Sequence, residues 1–375
     1  MYYKILFILH IPPPVHGSSM VGKLIKDSKI VNSSIDGHYI NLGTSFTIDE
    51  IGKKAFIKST RYFLIIVRVF MQLITFKPDL CYLAITAKGT AFFKDAIVAL
   101  LIKLFRIKIV YHFHNKGVSA KQDKWVYNFM YRLVFKDAHA ILLSKYLYPD
   151  IQKYFSKKRV YYCPNGIAES KFEKDQLEIG SEKPVEILFL SNLIESKGVL
   201  VLLEACLILK EKRIPFHCTY VGGEGDITSD YFNKKVSDLK LNKQVFYAGK
   251  KYGEEKAEAF EKANIFAFPT YYHNECFPLV LLEAMQQGLP VITTCEGGIS
   301  DIVEDGITGY LVPQKDAVAL AEKLEILIND STLRHEMGAK GRARYEEQFT
   351  LNTFENRLTD ILNSIVNKNE QSEHS

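Results

Sequence analysis

The sequence predicts an α/β protein made of two doubly wound parallel-sheet domains. With 375 residues the chain exceeds what one hydrophobic core usually organises, which favours two domains of roughly 150 to 200 residues each. Short β-branched and aromatic runs alternate with helical stretches from the start of the chain, a pattern typical of parallel sheets covered by helices on both faces. A composition of 47% hydrophobic and 24% charged residues excludes disordered and fibrous classes.

Two series of strands, separated by a polar segment, define the predicted domains. The strands of the first series are Lys4–His10, Leu80–Ile85, Lys108–His114, Ala138–Leu143 and Arg159–Cys163. The segment 169–184 has no sustained apolar period and is interpreted as a linker. The strands of the second series are Val185–Ser191, His217–Val221, Val245–Gly249, Ile265–Pro269 and Pro290–Thr294. We therefore predict domains at 1–168 and 185–348, and two such domains facing one another would place their ligand in the cleft at the carboxyl ends of both sheets.

Charge is distributed unevenly along the chain. Residues 1–170 contain 25 Lys and Arg against 10 Asp and Glu, a balance of +15, whereas the remaining residues contain 23 against 33, a balance of −10. A basic half suits nucleic acid, an anionic membrane or an anionic substrate. Between Ala55 and Lys77, the cations Lys58, Arg61 and Arg68 lie among aromatic residues, which is typical of a helix on anionic lipid. The alternative is a core helix with a basic edge exposed to solvent. The sequence therefore leaves binding to the inner membrane leaflet undecided. Nucleic acid is not expected as a partner.

Targeting and redox signals are weak. The six cysteines form no C-x-x-C pair and indicate neither a disulfide framework nor a zinc site. The apolar run Lys4–Ile11 is too short and poorly flanked for a signal peptide. The apolar segments Tyr62–Phe76 and Ala96–Val110 are short and contain basic residues, so neither should span a bilayer. These features predict a cytoplasmic protein, with peripheral membrane association left open.

A candidate anion site lies at the start of a helix in the second series. Pro278 suits a first helical turn, and Gly288 followed by Pro290 ends the helix after about ten residues. The backbone N–H groups near Phe277 and Leu279 would then face the cleft, where a helix N-terminus favours a diphosphate.

Two carboxylates frame this helix. Glu283 is the only charge between Leu279 and Met285, and a carboxylate on so apolar a helix is costly unless it is hydrogen-bonded, for example to a ribose diol. Glu275, on the preceding loop, is placed to hold sugar hydroxyls. Alternatively, Glu283 faces solvent and Glu275 only compensates the helix dipole.

Further polar or glycine residues follow other predicted strands. Lys197 comes after the strand that ends at Ser191, and a lysine there can reach a phosphate, although a surface lysine is the plainer interpretation. The pairs Gly222-Gly223 and Gly297-Gly298 also follow strands and permit close backbone approach to a ligand. The coincidence of these features favours a ligand site.

At these residues the chain resembles a retaining glycosyltransferase of the GT-B fold, from family 4, which uses nucleotide-sugar donors. The motif that carries the resemblance is the pair Glu275 and Glu283, separated by seven residues. Supporting matches are Pro164-Asn165-Gly166-Ile167, Lys197-Gly198, Gly222-Gly223, and Gly297-Gly298 continuing to Val312. The resemblance covers residues 160 to 345 and is looser upstream. It also implies a C-terminal helix, within 349–375, that crosses back onto the first domain and is followed by a polar tail.

The resemblance implies roles for particular residues. Glu283 would bind the ribose, Glu275 the donor sugar, and Lys197 would neutralise the diphosphate leaving group. The backbone from Phe277 through Pro278 to Leu279 would bind the phosphates.

In the first domain the resemblance implies two further residues. Gly17, in the segment Pro13-Pro14-Val15-His16-Gly17, would let the first loop approach the phosphates. His114 would face the donor sugar, and His112 competes with it for that role.

Two positions depart from the family pattern. Ser191-Asn192 stands where the family commonly has Gly-Arg, and Cys276 replaces the glycine that usually follows the first Glu. Asn192 is still expected to contact the phosphates, but an amide offers hydrogen bonds without charge, which weakens the predicted clamp.

The implied reaction moves a sugar from a nucleotide-diphosphate donor, UDP-sugar first and GDP-sugar next, to a glycan or lipid-linked acceptor in bacterial surface polysaccharide assembly. No metal or other cofactor is expected, because a helix N-terminus and Lys197 can stabilise the leaving group and no Asp-x-Asp motif follows a strand. The alternatives are an epimerase of the same fold and a catalytically weak nucleotide-sugar binding subunit. A dinucleotide oxidoreductase is disfavoured because no Gly-x-Gly-x-x-Gly fingerprint is present.

Overall fold

The structure, a computed structural model, describes residues 2–13, 17–43, 55–169 and 184–367. Its contacts divide the chain into two compact units, one formed by Met1–Gly166 with Leu351–Ser375 and the other by Ile167–Thr350. Most of the predicted linker, the polar tail and the segment 14–16 that precedes Gly17 lie outside the described residues.

The first unit contains a six-stranded parallel sheet. Its strands are β1 (Lys4–Leu9), β2 (Asp36–Asn41), β3 (Leu80–Ile85), β4 (Lys108–Phe113), β5 (His139–Leu142) and β6 (Val160–Tyr162). They lie in the order β2-β1-β3-β4-β5-β6. From β1 the chain adds β2 on one side and then β3 on the other. The position between β1 and β3, where the order of strands reverses, is the topological switch point of the sheet. Parallel sheets of this kind bind ligands at the switch point.

Helices connect these strands. They are α1 (Gly17–Asp27), α2 (Lys29–Ser34), α3 (Ala55–Thr75), α4 (Gly89–Leu104), α5 (Trp125–Phe135) and the short α6 (Tyr148–Ile151). Ser28 begins α2 by accepting a hydrogen bond from the Val31 N–H, as expected of an N-cap serine. None of the helices within the described ranges is long and apolar enough to cross a membrane.

The second unit contains another six-stranded parallel sheet. Its strands are β7 (Val185–Leu190), β8 (Phe216–Val221), β9 (Val245–Tyr247), β10 (Ile265–Phe268), β11 (Val291–Thr294) and β12 (Gly309–Val312). Their order is β12-β11-β10-β7-β8-β9, which places the switch point between β7 and β10.

The helices of the second unit alternate with its strands. They are α7 (Val199–Glu211), α8 (Ser229–Asp238), α9 (Gly253–Lys262), α10 (Leu279–Gln286), α11 (Ile299–Ile302), α12 (Ala317–Asn329) and α13 (Ser331–Gln348). Asp316 and Asp330 cap α12 and α13 by accepting N–H groups of Ala319 and Leu333.

The last helix, α14 (Leu351–Asn367), belongs to the first unit. Its apolar residues, among them Phe354, Leu358 and Leu362, join a buried core with residues of β1 and β3. Lys108 of β4 also donates to the Val366 carbonyl over 3.1 Å. The C-terminal segment therefore completes the core under the first sheet. Together the two sheets confirm the predicted fold class of two doubly wound α/β units.

Candidate functional site

In the second unit, the loops that follow β7 and β10 lie against each other. The Tyr271 N–H donates to the Ser196 carbonyl over 2.7 Å. Gly198 has a φ of +87°, and a Cβ there would lie 2.2 Å from the Pro269 carbonyl oxygen. Only glycine permits this approach. Because β7 and β10 are neighbours at the switch point, the polar residues of both loops are brought to one place.

The two loops contribute a buried ion pair. The Lys197 ammonium is hydrogen-bonded to the Glu275 carboxylate, and their side chains are only 15% and 10% exposed. Lys197 Nζ also lies 4.4 Å from the ring centroid of Tyr272, a distance suited to a cation–π contact. The family resemblance implies separate roles for Lys197 and Glu275, whereas the structure joins them into a single charge-compensated pair.

Glycines after neighbouring strands hold this group in place. Gly297 has a φ of +59°, and a Cβ there would lie 2.2 Å from the Glu275 carbonyl oxygen. The Gly298 N–H donates to the Cys276 carbonyl over 2.7 Å. Gly222 is equally constrained, since its Cβ would lie 1.8 Å from the Ser191 carbonyl oxygen. At both positions the close approach is to the protein's own backbone, so the packing of the loops already requires a glycine.

Helix α10 begins directly after this loop. It has eight residues rather than about ten, because Pro278 is the N-cap, with φ −70° and ψ 115°, and not the first helical residue. The Leu281 N–H bonds back to the Pro278 carbonyl over 3.2 Å. The first-turn N–H groups of Leu279 and Val280 have no acceptor within the helix itself. Phe277, which is buried, packs edge-on against Phe349 and fixes the start of the helix.

Glu283, one turn into α10, is paired with Lys256 of α9. The Lys256 Nζ and Glu283 Oε1 are 2.6 Å apart, and the two side chains are 30% and 29% exposed. Glu283 is therefore neither fully solvated nor unpaired, as the cost of a carboxylate on an apolar helix requires. Nothing in the sequence pattern indicates Lys256 as its partner.

Asn192 lies where the family pattern has an arginine. Its Oδ1 accepts a hydrogen bond from the Gly223 N–H over 3.1 Å. A Cβ on Gly223 would lie 3.5 Å from Lys250 Cδ, so a second lysine stands beside this loop. The sequence pattern did not single out Lys250 or Lys256. Both come after the short strand β9 in the chain, so a search for charged residues after every strand would have found them.

The first unit places His114 immediately after β4. It lines a cavity of about 190 Å³ together with His10, Ser18, Thr86 and Asn115. These residues follow β1, β3 and β4 or begin α1, so the cavity lies at the carboxyl edge of the sheet beside its switch point.

His112 lies behind His114. Its ring is fully buried, its Nδ1 is hydrogen-bonded to the Tyr82 hydroxyl, and the two histidine ring centroids are 4.1 Å apart. Burial, and to a smaller extent the neighbouring His114, lowers the pKa of His112 well below its ordinary value. His112 is thus neutral at pH 7, and the geometry favours His114 as the residue open to a ligand.

Gly17 is the first residue of α1, next to Ser18 of the same cavity. A Cβ at Gly17 would meet no atom of the described residues within 4 Å. Packing among those residues therefore does not demand a glycine here, in contrast to Gly198 and Gly297. Its predicted role, close approach to a phosphate, stays a prediction.

The buried carboxylate of Asp95 is hydrogen-bonded to Thr86 in the cavity wall, and its pKa predicts a pH dependence of stability. Asp95 accepts the Thr86 N–H over 2.8 Å, and burial raises the pKa of Asp95 to about 7 despite this hydrogen bond and Lys94. Between about pH 4 and 7 the folded state therefore binds a proton that the unfolded state has released, so the Asp95 contribution to the free energy of unfolding falls as pH rises. Relative to wild type, Asp95→Asn should gain about 3 kcal/mol between pH 5 and 8, since about two pH units lie between pH 5 and the folded pKa of about 7 and each is worth about 1.4 kcal/mol.

Urea denaturation at several pH values measures this difference. A matched control is Asp79→Asn, because Asp79 also accepts a backbone N–H, that of Lys4 over 2.8 Å, but is exposed. Parallel stability curves for Asp95→Asn and wild type would contradict the prediction.

Comparisons with known proteins agree with this arrangement. Residues 170–344 match the family profile described as "Glycosyl transferases group 1". The amylovoran biosynthesis glycosyltransferase AmsK of Erwinia amylovora is 32% identical over 205 residues, which cover 54% of this chain and 50% of that protein. The capsular polysaccharide biosynthesis glycosyltransferase CapM of Staphylococcus aureus is 31% identical, covering 55% of this chain and 54% of that protein. The matched segment thus spans about half the length of these relatives.

Solved structures resemble nearly the whole chain. The Anabaena protein Alr3699/HepE, in complex with UDP and glucose, superimposes with a TM-score of 0.70 at 18% identity, covering 97% of this chain and all of that one. A glycosyltransferase from Rickettsia africae gives 0.75 at 18% identity, covering 98% and 99%. At this identity the likeness defines the fold, which is GT-B. The match of residues 170–344 to the glycosyl transferases group 1 profile agrees with the glycosyltransferase resemblance drawn from the sequence.

Proposed function

We propose that the protein is a retaining, metal-independent glycosyltransferase that moves a sugar from a nucleotide-diphosphate donor to a glycan or lipid-linked acceptor. The observation that carries the proposal is the buried Lys197–Glu275 pair at the switch point of the second sheet. Glu275 lies on the loop that leads into the N-terminus of α10, where a diphosphate is favoured, and Lys197 reaches Glu275 from the loop after β7. The match of residues 170–344 to the glycosyl transferases group 1 profile supports the same reaction class.

The chemistry follows from the charge that develops when the sugar leaves. The departing diphosphate gains negative charge as the sugar carbon acquires oxocarbenium character. The Lys197 ammonium and the first-turn N–H groups of α10 would stabilise that charge without reorganising. Glu275 fixes the position of Lys197 and can also accept hydrogen bonds from hydroxyl groups of the donor sugar. Retention is ascribed to front-face attack assisted by the leaving phosphate, so no protein base is assigned.

Donor and acceptor follow from the relatives. Uridine is the first base to test, since HepE was solved with UDP, and guanosine is next. AmsK and CapM are named for amylovoran and capsular polysaccharide biosynthesis, which supports a surface-glycan acceptor. The reaction would then take place in the cytoplasm or at the inner face of the membrane.

Product analysis with and without acceptor tests the proposal. A transferase forms a new glycoside only when a glycan or lipid-linked sugar is supplied, and proton NMR should show the donor's anomeric configuration retained. Isomerised donor without acceptor would indicate an epimerase instead. Tight donor binding with no turnover would favour a binding subunit. The reason for testing this outcome is Asn192, which places an uncharged amide where the family pattern has an arginine.

His114 is proposed as a hydrogen-bonding and electrostatic group for the donor sugar. We expect His114→Ala to lower turnover at least tenfold, the equivalent of about 1.4 kcal/mol of barrier. Initial rates at saturating donor measure this. The control is His217→Ala, because His217 lies near the amino end of β8, paired with Glu186 over 2.8 Å. Turnover of His114→Ala within about threefold of wild type would remove His114 from the mechanism.

A further inference from the structure

Three neighbouring helices of the first unit form one surface. The Tyr62 hydroxyl of α3 donates to the Lys94 carbonyl of α4 over 2.6 Å. The rings of Phe92 in α4 and Tyr127 in α5 are stacked with centroids 6.0 Å apart. Helices α3, α4 and α5 therefore lie side by side, and what they expose is continuous.

Each helix exposes an apolar stripe on the side away from the core. In α3, Ile65, Val69 and Leu73 are buried, whereas large apolar residues at helical spacing on the opposite side are exposed. We call the exposed set the docking face; its members are Phe63, Leu64, Val67, Phe70, Met71, Ile74, Ile97, Leu104, Trp125, Val126, Phe129 and Leu133. Trp125 and Leu104 are the most exposed members, at 80% and 78%.

The same helices are basic. Together α3, α4 and α5 contain six Lys and Arg residues and a single acid, Asp95, which is buried. Arg68, Lys94 and Arg132 are exposed around the docking face. The aspartates at the ends of α5, Asp123 and Asp137, are within ion-pair distance of basic residues outside the face.

We propose that the docking face binds the surface of an anionic lipid bilayer, with its apolar side chains at the acyl boundary and its Lys and Arg residues at the lipid phosphates. Aromatic and aliphatic groups with a cationic rim are the composition that such an interface selects. A second copy of the chain fits less well, because a two-fold contact would press two basic surfaces together. The inference goes beyond the proposed function, since binding to lipid requires no turnover.

The experiment uses the full chain and its single tryptophan. Trp125 lies on the docking face, so its emission should shift to the blue on insertion. The probes are vesicles of phosphatidylcholine alone and of phosphatidylcholine mixed with phosphatidylglycerol. We expect the blue shift and co-sedimentation with anionic vesicles only, weakening as salt is added.

Two double variants separate the apolar and electrostatic contributions. Phe63→Ser with Phe129→Ser removes apolar area, and Arg68→Glu with Arg132→Glu reverses charge; each should weaken vesicle binding on the order of tenfold or more. The matched controls in the second unit are Val318→Ser, 58% exposed, and Lys234→Glu, 74% exposed, which should bind like wild type. Urea unfolding and nucleotide calorimetry on every variant show that the fold and the donor site are intact.

Three results would overturn the proposal. They are no vesicle binding by wild type, equal binding to neutral and anionic vesicles, or a concentration-dependent dimer that the docking-face variants abolish. Because nucleotide binding is measured on the same proteins, failure of lipid binding is distinguishable from failure of the proposed transferase function.

Discussion

Lys197→Met is expected to lower kcat/KM on the order of a hundredfold or more and also to destabilise the protein. The activity falls because a preorganised cation next to the leaving diphosphate is lost. The stability falls because Glu275, whose side chain is only 10% exposed, is left as an uncompensated buried charge, which typically costs about 3 to 5 kcal/mol. Steady-state kinetics and urea unfolding measure the two effects separately.

The double variant Lys197→Met with Glu275→Leu separates catalysis from folding. Replacing both partners of a buried pair by apolar groups is often nearly neutral for stability, so this variant should regain most of the free energy of unfolding. Its activity should remain lost. Recovery of activity together with stability would mean that Lys197 acts only as a structural partner of Glu275.

An exposed pair provides the matched control. Lys212 and Glu325 also form an ion pair, over 2.5 Å, but their side chains are 45% and 33% exposed. Lys212→Met should cost at most about 1 kcal/mol and leave turnover unchanged. Equal destabilisation by Lys197→Met and Lys212→Met would show that burial does not set the energy of the Lys197–Glu275 pair.

The pattern of residues predicted most of the sheets but missed two edge strands. All ten predicted strands are present, with ends that differ from the prediction by at most two residues. The two missed strands, β2 and β12, lie at sheet edges, but so do β6 and β9, which were predicted, so edge position alone does not explain the misses. Most of β2, Asp36–Asn41, remains partly or fully exposed, so its sequence did not need the apolar run that marks a central strand.

The candidate site was predictable residue by residue but not as an assembly. Lys197 and Glu275 are 78 residues apart, and two strands, β8 and β9, intervene between β7 and β10 in the sequence. Only the order of the sheet makes β7 and β10 neighbours. The same holds for Lys256, since the sequence indicated that Glu283 needed a partner without showing which element would supply it.

The docking face was visible only in part. The basic and aromatic composition of α3 pointed to lipid, but the apolar residues of α4 and α5 look like core residues in the sequence. Burial distinguishes them, because Ile102 of α4 is fully buried whereas Ile97 and Leu104 of the same helix are exposed. Composition therefore suggested the proposed docking face in α3, and burial added the exposed apolar residues of α4 and α5 to it.

Glu283→Ala is expected to weaken nucleotide binding on the order of a hundredfold. Two hydrogen bonds from a ribose diol to a carboxylate are charge-assisted, and each contributes about 1.5 kcal/mol or more. Calorimetric titration with UDP, GDP and ADP in EDTA should show micromolar binding of one nucleotide to wild type and its near loss in the variant. The EDTA makes the same titration a test of metal-independent binding.

Lys256→Met is the control for this titration. It removes the ion-pair partner but retains the Glu283 carboxylate, so nucleotide binding should persist. Because the pair is about 30% exposed, both variants should lose no more than about 1 kcal/mol of stability. Equal weakening by Lys256→Met and Glu283→Ala would mean that the pair shapes the site and that Glu283 is not itself the ribose ligand.

If wild type binds none of the three nucleotides, the proposed function is contradicted. The variant Asn192→Arg then tests whether the lack of a cation at this position is the reason. The side chain of Asn192 bonds to the loop after β8 and adds no charge there. If the arginine variant binds a nucleotide that wild type does not, the donor site is architecturally intact and has lost one cation of its phosphate clamp. If it too binds nothing, the Lys197–Glu275 pair is a structural feature of the loops, and the assignment of a donor site to the second unit falls with it.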